Sequence, residues 1–320
     1  MTRRFIAVCL ALAIFAPLSA IASDWPNRPI HVIVPFPAGG STDAIARVVG
    51  DHLSRTLGQQ IVVENRSGAN GNIAIESAAR SAPDGYTILI ATDAVSSNPH
   101  VYKMTIDTLK DLMPVVELSR QPIVLAAHPS LGVSSIGELT AMAKQQPGLR
   151  FATGSGFGSL QAMVALWYAE LAGITLEQVP YRGGGPAIND LIAGHVKLGS
   201  LGSTPLIPHY KAGTLYLLAQ SMAERSRSLP NVPTYQEAGL KGLVIDQRVG
   251  VFVPQGTPVE IVSRLNAAFN AAIADEGIRR HFADLAQEPV GGTAEQYAGM
   301  VREDWQKYAR LVKELNVKVE

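Results

Sequence analysis

Short apolar runs alternate along this chain with longer stretches in which apolar residues recur at three- and four-residue spacing. Residues 30–34 form such a run, ended by Pro35, and predict a buried strand. Residues 42–57 place Ile45, Val48, Val49, Leu53 and Leu57 on one helical face, and Gly58 follows as the stop. Residues 60–63 read as a strand, 72–79 as a short helix and 86–91 as a strand after the turn Pro83-Asp84-Gly85. The pattern recurs with strands at 123–127, 149–152, 178–181, 196–201 and 250–253. Helices are predicted at 135–145, 161–171, 186–193, 259–273 and 294–315, and the last two are expected to cover the first sheet. Continuous apolar strands separated by helices predict an α/β fold with mainly parallel sheets covered on both faces.

The N-terminus follows a different plan. Arg3 and Arg4 precede an apolar run at 5–16, Pro17 and Ser19 break it, and Ala20-Ile21-Ala22 offers a small-x-small cleavage signal. This is the layout of a secretory signal peptide over residues 1–22. The run is too short for a membrane span, which needs roughly 20 apolar residues. Thr2-Arg3-Arg4 lacks the spacing of a twin-arginine signal, so an ordinary Sec signal and a periplasmic product are expected.

Export changes the charge and cysteine accounts. The full chain balances 27 basic against 27 acidic residues, and loss of Arg3 and Arg4 leaves the mature chain at −2. No basic field remains for nucleic acid or an anionic membrane. Cys9 is the single cysteine and leaves with the signal, which excludes a disulfide, a thiol nucleophile and a thiolate metal site. A mature chain of roughly 300 residues is large for one core, and two lobes are expected.

The candidate chemistry lies in loops that open helices. Phe36, Pro37, Ala38, Gly39, Gly40 and Ser41 join the first strand to the first helix. Prolines stiffen this loop, Gly39 and Gly40 let a ligand approach the backbone, and Ser41 and Asp43 are candidate caps. Exposed N–H groups at such a helix start make an anion site, although a plain turn and cap has the same pattern. The loop 153–159 repeats this logic, with hydroxyls on Thr153, Ser155 and Ser159 and access at Gly154, Gly156 and Gly158. Its glycines run G-x-G-x-G and miss the dinucleotide fingerprint. Tyr181-Arg182-Gly183-Gly184-Gly185-Pro186 also precedes a helix, and reads equally as an anion loop or a connector. No nucleophile elbow occurs and the histidines lack metal-binding spacing, so no enzyme activity, cofactor or metal is expected.

Several ordered motifs then carry a resemblance. They are Trp25-Pro26-Asn27-Arg28-Pro29-Ile30, residues 35–43, Pro83-Asp84-Gly85-Tyr86-Thr87 and Val179-Pro180-Tyr181-Arg182-Gly183-Gly184. Asp190-Leu191-Ile192-Ala193-Gly194, Leu229-Pro230-Asn231-Val232-Pro233-Thr234, Glu237-Ala238-Gly239 and Pro254-Gln255-Gly256-Thr257-Pro258 complete the set. Together they make the chain resemble the Bug family, periplasmic solute-binding proteins of tripartite tricarboxylate transporters.

The resemblance implies a two-lobed periplasmic binding protein type II fold, closing over its ligand like a flytrap. The expected lobes are 24–123 plus 248–320, and 124–247, with crossings near 123–124 and 247–249. It implies that the loop 35–41 holds a ligand carboxylate through backbone N–H groups and water. It also implies that Thr92, Ser96 and Ser97 close one side of the cleft, and that Thr153, Ser155, Gly156 and Ser159 hold the far end. Two departures bear on the ligand. Relatives often carry an acid, able to pair with a ligand amine, where this chain has Ser200-Leu201, which argues for a carboxylate without an amino group. Arg248 stands near a position that is often aromatic, where it either clamps a second carboxylate or lies at the hinge surface. The expected function is capture of a small organic carboxylate, as a monomer, for the membrane subunits of a tripartite tricarboxylate transporter. A ligand-responsive partner of a membrane sensor is the alternative.

Overall fold

The computed structural model describes residues 25–317. The signal-peptide reading of residues 1–22 lies outside the described residues. Ten strands are present among them: β1 (Ile30–Val34), β2 (Ile61–Asn65), β3 (Thr87–Thr92), β4 (Leu112–Ala127), β5 (Leu149–Thr153), β6 (Leu176–Pro180), β7 (Leu198–Gly202), β8 (Tyr216–Gln220), β9 (Asp246–Pro254) and β10 (Glu288–Pro289). The helices that matter to the site are α1 (Ser41–Leu57), α2 (Asn72–Ala79) and the short α3 (Ala94–Ser97). Then follow α4 (Thr108–Asp111), α5 (Ile136–Gln145), α6 (Leu160–Ala172), α7 (Gly184–Ile192) and α8 (Ile207–Lys211). The chain ends with α9 (Val259–Ala274), α10 (Glu276–Asp284) and α11 (Ala294–Glu314).

The strands hydrogen-bond in the order β2-β1-β3-β9-β4-β7-β5-β6, with β8 and β10 also on β4. β4 belongs to two sheets. Its first half pairs β9, and Ile123 to Ala127 pair β7 on one side and residues of β8 on the other. The expected parallel pairing holds for β1 with β2 and β3, and for β5 with β6 and β7. It does not hold in the middle, where β4 and β9 are antiparallel to each other and to their further neighbours β3, β7 and β8. The reason is connectivity. β4 carries the chain from the first sheet to the second and β9 carries it back, so two adjacent crossings run in opposite directions.

Alternation along the strands divides each core in two. In β3, Ile88 and Ile90 face the layer of α1 and α9, while Leu89 and Ala91 face α2. In β4, Ile123, Leu125 and Ala127 face α5 and α6, while Val124 and Ala126 face α7. The last helix departs from the expectation that it would cover the first sheet alone. Tyr297 and Val301 of α11 pack in the first-sheet core, and Tyr308 and Leu311 pack in the second. Thr293 starts α11 with a capping box to Gln296. Its Tyr297 hydroxyl fills the space over Gly250, where an added Cβ would lie 1.9 Å from it.

Candidate ligand site

The loop after β1 is held by a buried acid. Asp43, 4% exposed, accepts from the Gly39 N–H at 2.9 Å and from Asn65 Nδ2 at 3.0 Å. The same Asn65 nitrogen donates to the Phe36 carbonyl at 2.9 Å, and Arg47 pairs with Asp43 at 3.0 Å. Burial pushes the Asp43 carboxyl up, but its bonds from Arg47, Gly39 and Asn65 outweigh burial and hold it below the usual carboxylate range. Asp43 therefore braces the loop backbone instead of pointing at open space. Gly40, not Ser41, is the cap residue of α1, and it has no side-chain cap bond. The first bond inside the helix runs from the Ala44 N–H to the Gly40 carbonyl, so the N–H groups ahead of Ala44 precede the helical ladder. Gly39 sits at φ +85°, a conformation that favours glycine. Pro37, Ala38, Gly39 and Gly40 are exposed and form a rim.

The second loop faces it. Thr153 is fully buried and closes its own loop, donating to the Ser155 carbonyl at 2.7 Å and accepting from Gln178 at 2.8 Å. The Gly154 N–H donates to the Gln161 side chain at 2.7 Å. Ser159 caps α6 through the Ala162 N–H. Ser200, expected from the family comparison at a ligand-facing place, donates to the Gln161 carbonyl at 2.6 Å and braces the first turn of α6. Gly156 and Gly158 allow close approach of the 101–102 segment. A Cβ on Gly156 would lie 2.7 Å from the Tyr102 hydroxyl, and one on Gly158 only 2.3 Å from Val101. Tyr102 also donates to the Phe157 carbonyl at 2.7 Å.

A cavity lies where these loops meet. Phe36, Asn70, Thr92, Asp93 and Ala94 line it from the first sheet. Ser155, Ser159, Leu160 and Gln161 line it from the second, and Gln247 from β9. Its volume is about 10 Å³, room for about one water. A larger groove of about 260 Å³ runs along Leu166, Ile174, Leu176 and Leu315 at the far end of the second lobe. Glu170, Thr175, Glu314 and Asn316 line it too, and it lacks the paired helix starts of the interlobe cavity.

Of the expected residues, Phe36, Thr92, Ser155 and Ser159 reach the cavity wall. Ser96 instead donates to the Val301 carbonyl at 3.3 Å, and Ser97 is fully buried beside it in α3. Tyr181 donates to Asp190 at 2.7 Å within its own lobe, and burial and Asp190 push its hydroxyl up to about 12. Arg248 is committed to the chain's own acids, meeting Glu117 at 3.0 Å and Asp304 at 3.0 Å. Arg248 Nε and Nη1 are thus taken up by the chain's own acids, and Nη2 lies 3.9 Å from Asp246.

Asn70, Asp93, Gln161 and Gln247 were missed from sequence. Asn70 carried a signal, since the Asn70-Gly71 pair marks a turn, and its backbone is left-handed at φ 52°. Asp93 carried none beyond standing next to Thr92. It is 9% exposed, and its Oδ1 has no hydrogen-bond partner among the described residues. Burial, reinforced by the Asp304 charge, raises its carboxyl to about 7. The serine at 200 thus does not leave the cleft without an acid.

A family model described as the tripartite tricarboxylate transporter family receptor matches residues 45–317. The chain belongs to the TctC/Bug receptor family. Protein BugT of Bordetella pertussis is 35% identical to it over 330 residues, spanning 100% of this chain and 99% of the relative. A Rhodopseudomonas palustris protein solved with adipate superposes with a TM-score of 0.88 at 33% identity, covering 93% of this chain and 100% of that one. MatC from Rhodopseudomonas palustris, solved with bound malate, gives a TM-score of 0.82 at 30% identity over 90% of this chain and 100% of that one. The fold is that of an α/β periplasmic binding protein, and TctC/Bug members are solute-binding receptors rather than enzymes. No helix among the described residues is long and apolar enough to cross a membrane.

Proposed function

We propose that this TctC/Bug receptor captures a small organic carboxylate between two lobes in the periplasm and presents it to the membrane subunits of a tripartite tricarboxylate transporter. The lobes are residues 24–123 with 248–320, and 124–247, and the receptor acts as a monomer. The observation that carries the reading is the meeting of two helix starts on one cavity. The Phe36 loop enters α1 and the Ser155–Ser159 segment enters α6, and residues of both line the one cavity. Adipate and malate in the two solved relatives support a carboxylate.

The energetics suit capture without bond-making. A micromolar Kd needs about −8 kcal/mol, which several charge-assisted hydrogen bonds of roughly 1.5–3 kcal/mol supply after ordering costs. A thermal-shift screen of mono-, di- and aromatic carboxylates, followed by calorimetric titration, tests this. Ligand at about 100 times Kd adds about 2.7 kcal/mol to stability. If no carboxylate in the screen moves the melting point, the reading fails.

A further inference from the structure

Asp93 is an expensive residue to place in the cleft. It follows β3 at the mouth of α3, yet its side chain makes no cap bond to that helix. The Gln247 amide is a favourable neighbour of the Asp93 carboxylate, and its own oxygen accepts from Gln121 at 2.7 Å. Oδ1 has no partner among the described residues, is shut off from solvent, and belongs to a residue that lines the interlobe cavity. A buried acceptor left unmatched is costly, and proteins keep one where a ligand or water completes it.

The surrounding charges define what can complete it. The Arg248 charge favours ionised Asp93, but its Nε and Nη1 donate to Asp304 and Glu117 and not to Asp93. Asp304 on α11 adds like charge from behind. Across the cavity stand the α6 start and the hydroxyls of Ser155 and Ser159, and Phe36 leads into the α1 loop. The cavity therefore favours an anion near the helix starts and repels one near Asp93. A ligand that satisfies both ends offers an acceptor to the loops and a donor to Asp93.

We propose that Asp93 is a specificity-determining residue: its Oδ1 accepts a hydrogen bond from the ligand, so the receptor selects carboxylates that also carry a hydroxyl or ammonium group. This rests on the carboxylate reading above and narrows it. A plain carboxylate leaves Oδ1 unpaired in the closed cleft, and a site built around a buried polar group rejects the analogue that cannot pair with it.

Matched ligands of equal skeleton decide it. Calorimetry at about pH 8.5, where Asp93 is ionised, compares propionate, lactate and alanine; succinate, malate and aspartate; and phenylpropionate, phenyllactate and phenylalanine. In the wild-type protein, a donor-bearing member of the skeleton that binds should exceed its plain analogue by about tenfold or more. Asp93→Leu, close in size and without an acceptor, should abolish the preference. Asp93→Asn keeps an acceptor but no charge, so it should keep a hydroxyl preference and lose an ammonium preference; it also covers the case in which the leucine variant does not fold. Equal binding of plain and donor-bearing members by the wild type, or an unchanged preference in Asp93→Leu, overturns the inference while leaving carboxylate capture intact. Failure of every member to bind overturns the carboxylate reading, and this inference with it.

Discussion

Arg248 Nη1 donates to both carboxylate oxygens of Glu117, at 3.0 and 3.2 Å, across the pair of strands that joins the two lobes. Glu117 is 1% exposed and lies on β4, Arg248 lies on β9, and Arg248 Nε reaches Asp304 on α11 at 3.0 Å. The three elements that pass between the lobes are thus tied at one guanidinium. Burial alone would lower the Arg248 pKa, but the charges of Glu117, Asp304 and Asp246 outweigh it and keep the group protonated.

Replacing Arg248 with alanine leaves two buried carboxylates without their main partner. The expected cost is about 3–5 kcal/mol, read as a fall in Tm of roughly 10 °C. Binding of any carboxylate should weaken through this global loss, with no special penalty for dicarboxylates. A selective dicarboxylate loss in a variant of unchanged Tm would instead make Arg248 a ligand clamp.

Asp43 should act on the ligand loop through its backbone. Asp43→Ala frees the Gly39 N–H and one side of the Asn65 bridge. Stability should fall by about 1–2 kcal/mol, amide exchange at Gly39 should quicken, and carboxylate affinity should drop. The pH sign follows from the depressed folded pKa of Asp43. Its stabilisation is present above the unfolded value of about 4 and is lost as pH falls through the lower folded value. Unchanged exchange at Gly39 in the variant would remove the bracing role.

Two glycines separate ligand access from lobe closure. A Cβ on Gly40 meets only the Pro37 carbonyl, at 3.5 Å, so Gly40→Val should fold normally while covering the N–H groups of the α1 start. Affinity should fall by about tenfold or more, with Tm nearly unchanged. Gly158 has φ +72° and Val101 stands where its Cβ would go. Gly158→Val should hold the lobes apart, and small-angle scattering should record a larger radius of gyration than for the wild type. Wild-type compactness in that variant would show that this contact does not govern closure.

Asp93 makes stability depend on pH in the opposite sense to Asp43. Its folded carboxyl is raised from 3.8 to about 7, and the groups around it are Asp304, Tyr297 and Tyr308 of α11 and Gln247 and Arg248 of β9. Below about pH 4 both states hold the proton and its burial is not penalised. As pH rises from there to about 7 the folded state retains a proton that the unfolded state has released, so stability falls. Asp93→Asn should therefore gain up to about 4 kcal/mol near pH 8 and little near pH 4. An equal change in Tm at both pH values would contradict the raised carboxyl.

The sequence was most readable where local pattern and packing agree. The helix predicted at 42–57 is α1 to within one residue, and the one predicted at 72–79 is α2. The first half of β4 was not readable, because Pro114, Glu117, Arg120 and Gln121 break the apolar run. The structure keeps it a strand through register shifts near Pro114 and Glu117, and by pairing its buried acid with Arg248 from 131 residues away. β8 was missed although residues 215–219 form an apolar run, and α10 was missed because only Ile278 and Phe282 give it a buried apolar side. Loop glycines pointed to the site, but which side chains enter it depends on how the lobes meet. Hence Thr153, Ser200 and Asp43, polar and next to the right loops, turned out to hold those loops, while Asp93 and Gln161 line the cavity.

The central claim is that a carboxylate is gripped between the lobes at the α1 helix start, and a ligand-bound crystal structure tests it most directly. The carboxylate should lie within about 3 Å of N–H groups in the 40–42 segment, enclosed by Thr92, Ser155 and Ser159. Ligand density in the groove at Leu166 and Leu315, with the interlobe cavity closed and empty of it, would contradict the account.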